Sequence, residues 1–266
     1  MNKNTYGGTM LNNLDKIEYA KKAGLEHGKI PEHIGIIMDG NGRWAQKKGF
    51  PRLMGHKAGL ENLKTIIKEC NYLGVKVVTV YAFSTENWKR PPEEVKFLMN
   101  LLVEYMKKEI QELKDENVRI YVLGEQDLIP VKVQKEIDIS IEETKENTGL
   151  KFNIAFNYGG RAELIHAIKK IAIKLKDGTI EENEIDEEMI ADELYTHGDP
   201  DPDLIIRTSG ELRLSNFLIW QSAYSELYFT DIMWPDFGVD EIRKAIEDFS
   251  NRKRRFGGLK ETKIED

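Results

Sequence analysis

The chain has 266 residues, 40% apolar and 32% charged, with a mean hydropathy of −0.50. This is the composition of a folded, water-soluble protein rather than a disordered or membrane-spanning one. A net charge of −7 disfavours a nucleic-acid surface, and the single cysteine, Cys70, excludes an internal disulfide framework and a cysteine-based zinc site.

Residues 1–29 lack the continuous apolar core of a secretory signal, and no window approaches the ~18 apolar residues of a transmembrane helix. They read as an N-terminal arm, either solvated and loosely docked or an amphipathic helix on Leu11, Leu14 and Ile17 with Lys21 and Lys22 beyond. Residues 30–266 read as one domain, since no Pro/Gly/Ser-rich linker divides them. Apolar runs at 34–38, 75–83, 118–123, 150–156, 204–206 and 227–229 read as strands. Helical stripes fall between them: Leu60, Leu63, Ile67 and Cys70; then Val95, Leu98, Leu102, Met106 and Ile110; then Leu164, Ile165, Ile168, Ile171 and Leu175. The acidic stretch 177–193 reads as a loop leading into a solvated helix. Strands alternating with helices predict an α/β fold, a single domain with a mostly parallel central sheet of about six strands flanked by helices. The stripe from Val95 to Ile110, with Phe83, Leu101 and Phe152, is either ordinary core or the wall of a cavity for a hydrocarbon chain.

In parallel sheets ligands lie beyond the carboxyl ends of the strands, which directs attention to three segments. The first, 38–44, joins Asp39 to Gly40 and Gly42, with Arg43, Arg52 and His56 as donors at one rim. A single strand-end carboxylate suits Mg²⁺, which keeps waters and draws its other ligands from substrate phosphates. The glycines let backbone N–H groups close on an anion. The second, 83–90, offers Ser84, Glu86, Asn87 and Arg90 to a polar ligand beside an apolar Trp88. Alternatively, Ser84 or Asn87 caps the helix after Pro91-Pro92. The third, 207–216, sets Arg207 and Arg213 among Thr208, Ser209 and Ser215. Arginine forks take phosphate oxygens bidentately, so this inventory suits a diphosphate, or two with a metal.

Other motifs fail. Gly40-Asn41-Gly42-Arg43-Trp44-Ala45 meets the loose dinucleotide fingerprint, yet Asp39 beside it repels a pyrophosphate, Arg43 and Trp44 crowd the helix entry, and the second strand ends at Phe83, too far on for the ribose-binding acid. Residues 199–203 have calcium-loop spacing, but Leu204 and Gly210 stand where glycine and glutamate belong. Cys70, on an apolar stripe, reads as core.

At these residues the chain resembles the cis-prenyltransferases of the bacterial undecaprenyl diphosphate synthase type. The resemblance rests on HIGIIMDGNGRWA at 33–45, GHKAG at 55–59, YAFSTENW at 81–88 and NYGGR at 157–161. It continues through DLIIRTSGE at 203–211, RLSNF at 213–217, ELYF at 226–229, WPDF at 234–237 and RRFGG at 254–258.

The resemblance implies a homodimeric, Mg²⁺-dependent enzyme with a hydrophobic tunnel. It would add isopentenyl diphosphate to farnesyl diphosphate with cis geometry, making undecaprenyl diphosphate, a carrier-lipid precursor for cell-wall polysaccharide. By the same likeness, Asp39 and Glu226 would be metal ligands, with Asp39 and Asn87 catalytic. Gly40, Asn41, Gly42, Arg43, Arg52 and His56 would bind the primer diphosphate, and Trp44 would flank its prenyl chain. Ser84 would join Asn87 where a proton is removed, with Thr85, Glu86, Trp88 and Arg90 as neighbouring substrate contacts. Arg207, Arg213, Leu214 and Ser215 would hold isopentenyl diphosphate. Leu212 stands where some relatives carry histidine, and the 255–258 tail resembles a segment that crosses the dimer. A cytoplasmic enzyme touching the inner membrane face through its product is expected, with the basic run 252–255 either meeting anionic lipid or ending a solvated helix. Replacing Asp39 by alanine is expected to keep the fold and cost ~10³-fold in turnover. Two other readings stay open: a non-catalytic subunit of a two-subunit cis-prenyltransferase, and a dinucleotide-dependent oxidoreductase.

Overall fold

Six strands form the sheet: β1 (His33–Ile37), β2 (Val77–Ser84), β3 (Arg119–Leu123), β4 (Lys151–Tyr158), β5 (Leu204–Arg207) and β6 (Glu226–Phe229). All pair in parallel, in the order β3-β4-β2-β1-β5-β6. The helices are α1 (Asn13–Lys22), α2 (Asn41–Lys47), α3 (Arg52–Leu73), α4 (Pro92–Asp115), α5 (Val131–Thr144), α6 (Gly160–Lys176), α7 (Glu187–Asp192) and α8 (Val239–Asn251). This computed structural model describes residues 11–26 and 29–252. The first ten residues of the arm, and 253–258 with most of the basic run and the RRFGG motif, lie outside the described residues.

Period-two alternation along the strands divides the interior in two. Ile34, Ile36, Val78, Val80, Ile154, Leu204 and Ile206 point into the main core, where Leu63, Ile67 and Cys70 of α3 meet Leu102, Met106 and Leu113 of α4. Val133 and Ile137 of α5 and Ile242, Ile246 and Phe249 of α8 complete it. Ile37, Ala155, Tyr158 and Ile205 face the other way, onto Phe217 and Leu218. The α3 and α4 stripes fall where the sequence puts them, and the acidic stretch resolves into a short turn before the exposed α7.

Two stripes turn out differently. On α1, capped by Asn12, Leu14 is 77% exposed, and the helix docks instead through Lys16, Tyr19 and Ala20. Lys16 donates to Asn71 at 3.1 Å, and Tyr19 meets the buried Glu69 at 2.8 Å, where Arg243 joins at 2.7 Å. On α6, Ile165 and Ile168 are 54% and 59% exposed, while Glu163, Ala167 and Ile171 are buried. A carboxylate occupies this inner face because Tyr158 Oη, the Tyr195 N–H and Gln221 Nε2 all donate to it, at 2.5, 2.9 and 3.1 Å.

Candidate active site

Parallel pairing delivers the segments after β1, β2 and β5 to one rim. Past β1, Thr208 clamps the backbone of Asp39, accepting its N–H at 3.0 Å and donating to its C=O at 2.7 Å. The chain then turns at Gly40 with φ +97°, where a Cβ would lie 2.7 Å from Ser209 Oγ; only glycine takes this turn without strain. α2 packs on α3 at backbone contact, since the Cβ that Gly55 lacks would fall 1.9 Å from the Asn41 carbonyl oxygen. That approach sets Asn41 and His56 side by side on one wall.

Asp39 is the electrostatic centre. Its Oδ2 accepts from Arg207 Nη2 at 2.9 Å and its Oδ1 from the Gly40 N–H at 2.7 Å, with Arg43 Nη2 3.4 Å away. Burial alone would raise its pKa; the Arg207 and Gly40 hydrogen bonds and the charges of Arg207 and Arg43 hold it below the ordinary carboxylate value. Arg207, the last residue of β5, is 4% exposed and also donates from Nη1 to the Arg213 carbonyl and to Ser215 Oγ. Its Nε has no partner. The loop beyond holds Ser209, Ser215, Asn216 and Leu218 at positive φ, a concentration of non-glycine strain typical of binding loops.

Opposite stands the end of β2. Its register with β4 shifts between Tyr81 and Ser84, a bulge that re-aims Ala82 and Phe83 before the 3₁₀ turn Thr85–Lys89. Asn87 Oδ1 accepts the Ser84 N–H at 3.1 Å, so the capping alternative holds for this turn rather than for α4. Asn216 joins the two sides, donating to Glu86 at 3.1 Å and accepting the Arg161 N–H at 2.9 Å.

Between α3, α4 and these strand ends lies a cavity of about 610 Å³. Asp39, Asn41, His56, Arg90, Arg207 and Ser215 line its polar part, with Ser84, Glu86 and Asn87. Leu60, Ala82, Phe83, Leu98, Leu101, Leu102 and Phe156 make the apolar part. Burial, then the charge of Arg90 and that of Arg52, push the His56 imidazole down to about 4 despite Glu94, leaving it neutral at pH 7 with Nε2 free of hydrogen bonds and 3.8 Å from Glu94 Oε1.

Several expected contacts lie elsewhere. Trp44 faces a separate hollow with Met233 and Asp236, under the Lys48 ammonium, because the first turn of α2 rotates it away from the strand ends. Arg43 bridges Asp39 and Glu211 at the surface. Arg213 is exposed and pairs with Glu211 at 2.5 Å. The Arg52 guanidinium lies against Gly42, and Thr85 Oγ1 fills the space that Gly159 leaves. Trp88 Nε1 donates to Asn157, and Leu214 packs against the smaller core. Phe152 stays in the main core away from the cavity, so of Phe83, Leu101 and Phe152 only the first two line it, with Leu98 and Leu102 of the stripe and with Ala82. Glu226 is not brought to Asp39 within one chain. It pairs in register with Leu204, at the other end of the strands, and meets Arg252 at 2.8 Å. Tyr81, Leu60 and Phe156, expected only as strand or helix positions, and Asn216, the last residue of the third segment, also line the cavity.

Among the described residues no group of three His, Cys, Asp or Glu side chains converges. The donors do suit Mg²⁺ taking one carboxylate, from Asp39, and completing its shell with water and phosphate oxygens. Asn41 Oδ1, buried without a donor on the same cavity wall, adds an oxygen of the right kind.

The family model described as "Putative undecaprenyl diphosphate synthase" matches residues 37–257. The isoprenyl transferase of Clostridium perfringens is 56% identical over 236 residues, 89% of this chain and 93% of that protein. The isoprenyl transferase of Enterococcus faecalis is 54% identical over 241 residues, 89% of each chain. Among solved structures, lavandulyl diphosphate synthase from Lavandula x intermedia, in complex with dimethylallyl diphosphate, superposes with a TM-score of 0.84 at 35% identity. It covers 87% of this chain and 100% of its own. A probable undecaprenyl diphosphate synthase from Campylobacter jejuni gives 0.71 at 31% identity, covering 86% and 99%.

Proposed function

Because the chain belongs to the undecaprenyl diphosphate synthase family of prenyltransferases, we propose that it extends farnesyl diphosphate with isopentenyl diphosphate units in a Mg²⁺-dependent reaction. One observation carries this reading: a single cavity joins a polar mouth, where Arg90 and Arg207 stand with Asp39 and Asn41, to an apolar chamber, of a size that encloses a small organic ligand. The dimethylallyl diphosphate held by the lavandulyl diphosphate synthase supports an allylic diphosphate as primer.

In this reading Asn41 and His56 receive the primer diphosphate beside the Mg²⁺ that Asp39 would hold, and the Leu60, Leu98 and Leu102 wall receives its hydrocarbon. Mg²⁺, when bound, neutralises charge on the departing diphosphate. Arg207, fixed by Asp39 and Ser215, holds the incoming diphosphate, with the exposed Arg213 leaving Glu211 to join it. The apolar chamber keeps water from the electron-deficient carbon. Asn87 is no base; it organises the turn where the incoming unit loses its proton, which a diphosphate oxygen or a water accepts.

Homodimerisation is part of this proposal, supported by the exposed Ile165, Ile168 and Leu175 stripe of α6, an apolar face that a second copy would cover. So is the division into an arm at 1–29 and a catalytic domain at 30–266. Among the described residues no helix is long and apolar enough to cross a membrane. A cytoplasmic enzyme meeting the membrane through its product, and supplying a carrier lipid for cell-wall polysaccharide, completes the reading.

The test is incubation with farnesyl diphosphate, labelled isopentenyl diphosphate and Mg²⁺, with an EDTA control, and resolution of products by length. A metal-dependent ladder ending near eleven isoprene units supports the whole reading, and another end point moves only the product. Absence of product from folded protein with detergent overturns it in favour of a non-catalytic subunit.

A further inference from the structure

The proposed chemistry leaves the 157–161 segment without a task, yet its first residue is tightly held. Asn157 is 1% exposed, sits at φ +50°, and is skipped in the β2–β4 register, where Phe83 pairs with Phe156 and Ser84 with Tyr158. Both ends of its amide are committed. Oδ1 accepts the Trp88 indole N–H at 2.7 Å, and Nδ2 donates to the Glu125 carbonyl at 2.6 Å. Asparagine tolerates left-handed backbone better than most residues and supplies an acceptor and a donor on one short stem.

We propose that Asn157 is a positioning residue for the condensation, holding the Ser84–Arg90 turn through Trp88; this rests on the reading of the cavity given above. Trp88 does not line the cavity, whereas Ser84, Glu86, Asn87 and Arg90 around it do. Its ring meets Phe83 edge-on at 5.2 Å, and its N–H is spent on Asn157. The turn's other pin, Asn216 on Glu86, is exposed, and the Ser84–Asn87 bond is internal to the turn. The Trp88–Asn157 bond thus anchors the middle of the turn to the sheet through an amide that is itself 1% exposed, so losing the indole N–H leaves a buried oxygen without its donor. Asn87 is the neighbour of Trp88, and a displacement of ~1 Å at a reacting group costs ~10²-fold in rate.

The experiment compares wild type, Asn157→Ala, Trp88→Phe, the double variant and Asn157→Asp. It reads kcat for chain extension, the Kd of farnesyl diphosphate by calorimetry, and folding by circular dichroism. Both single variants are expected to lower kcat about 10- to 100-fold with Kd within threefold, and the double variant to be no worse than the deeper single. Buried as a neutral acid, the Asn157→Asp side chain reproduces both hydrogen bonds. Its kcat therefore recovers at low pH and falls as pH rises, relative to wild type. If Asn157→Ala does not fold, Trp88→Phe and Asn157→Asp carry the test. Wild-type kcat in folded Trp88→Phe, additive losses, or a Kd loss that accounts for the whole defect overturns the proposal. An active wild type beside unaffected variants sinks the positioning role alone, whereas an inactive wild type sinks the functional reading beneath it.

Discussion

Truncating Asp39 to alanine separates two tasks that one carboxylate performs. The variant leaves Arg207, 4% exposed, with only the Arg213 carbonyl and Ser215 Oγ as acceptors. Breaking a buried ion pair from one side costs ~3–5 kcal/mol. Asp39 keeps 30% of its side chain exposed, so water replaces part of what Arg207 loses, and ~2–3 kcal/mol is expected. For a chain of this size that lowers Tm by about 4–12 °C. The variant is still expected to fold, but at this cost, because the carboxylate is also Arg207's counter-ion. Asp39→Asn keeps one acceptor oxygen, so either Arg207 Nη2 or the Gly40 N–H loses its partner, and about 1–3 kcal/mol should be lost. Both variants should lose ~10³-fold in turnover if the carboxylate holds the metal. The native pKa lies below the unfolded one, so this stabilisation is full above the unfolded value and vanishes as pH falls through the native value. Urea midpoints at constant m, measured with turnover, decide the matter. A wild-type midpoint for Asp39→Ala refutes the ion-pair argument, and near-wild-type turnover for Asp39→Asn refutes the metal role.

His56, at about 4 in the native state against about 6.5 unfolded, leaves the unfolded chain with more protons between those values. Stability should fall as pH drops through that window, and His56→Gln should reduce the slope by up to ~1.4 kcal/mol per pH unit, read from urea titrations at several pH values. Gly55→Ala drives a methyl into the Asn41 carbonyl and should cost about 1–3 kcal/mol and depress turnover, since α2 must move; an unchanged Tm contradicts that contact. Ala82→Leu should shorten the product ladder and Leu101→Ala lengthen it. Phe152→Ala should cost ~3–5 kcal/mol without changing product length, because that ring lies in the core and not on the cavity.

Much of the fold was legible because strand and helix periods are local. The read strands at 118–123 and 204–206 lie within a residue of β3 and β5, and the stripes of α3 and α4 are the buried ones. The α6 stripe misled because periodicity reports an apolar face without saying what covers it. Here Tyr158, Tyr195 and Gln221 satisfy Glu163, so the chain buries the face carrying the acid and leaves Ile165 and Ile168 outside. Trp44 misled for a related reason. It stands five residues past a site carboxylate, but one helical turn carries it out of the cavity.

By itself the sequence determined the class of fold, the strand ends at which chemistry collects and the residue types gathered there, since each follows from local period and side-chain chemistry. Only the tertiary structure decided that Arg207 pairs with an aspartate 168 positions earlier, that Glu226 lies at the far end of the strands, and that Asn157 reaches Trp88. Those pairings depend on strand order, register and two irregularities at the ends of β2 and β4, which arise from packing between distant segments and leave no periodic trace in the chain.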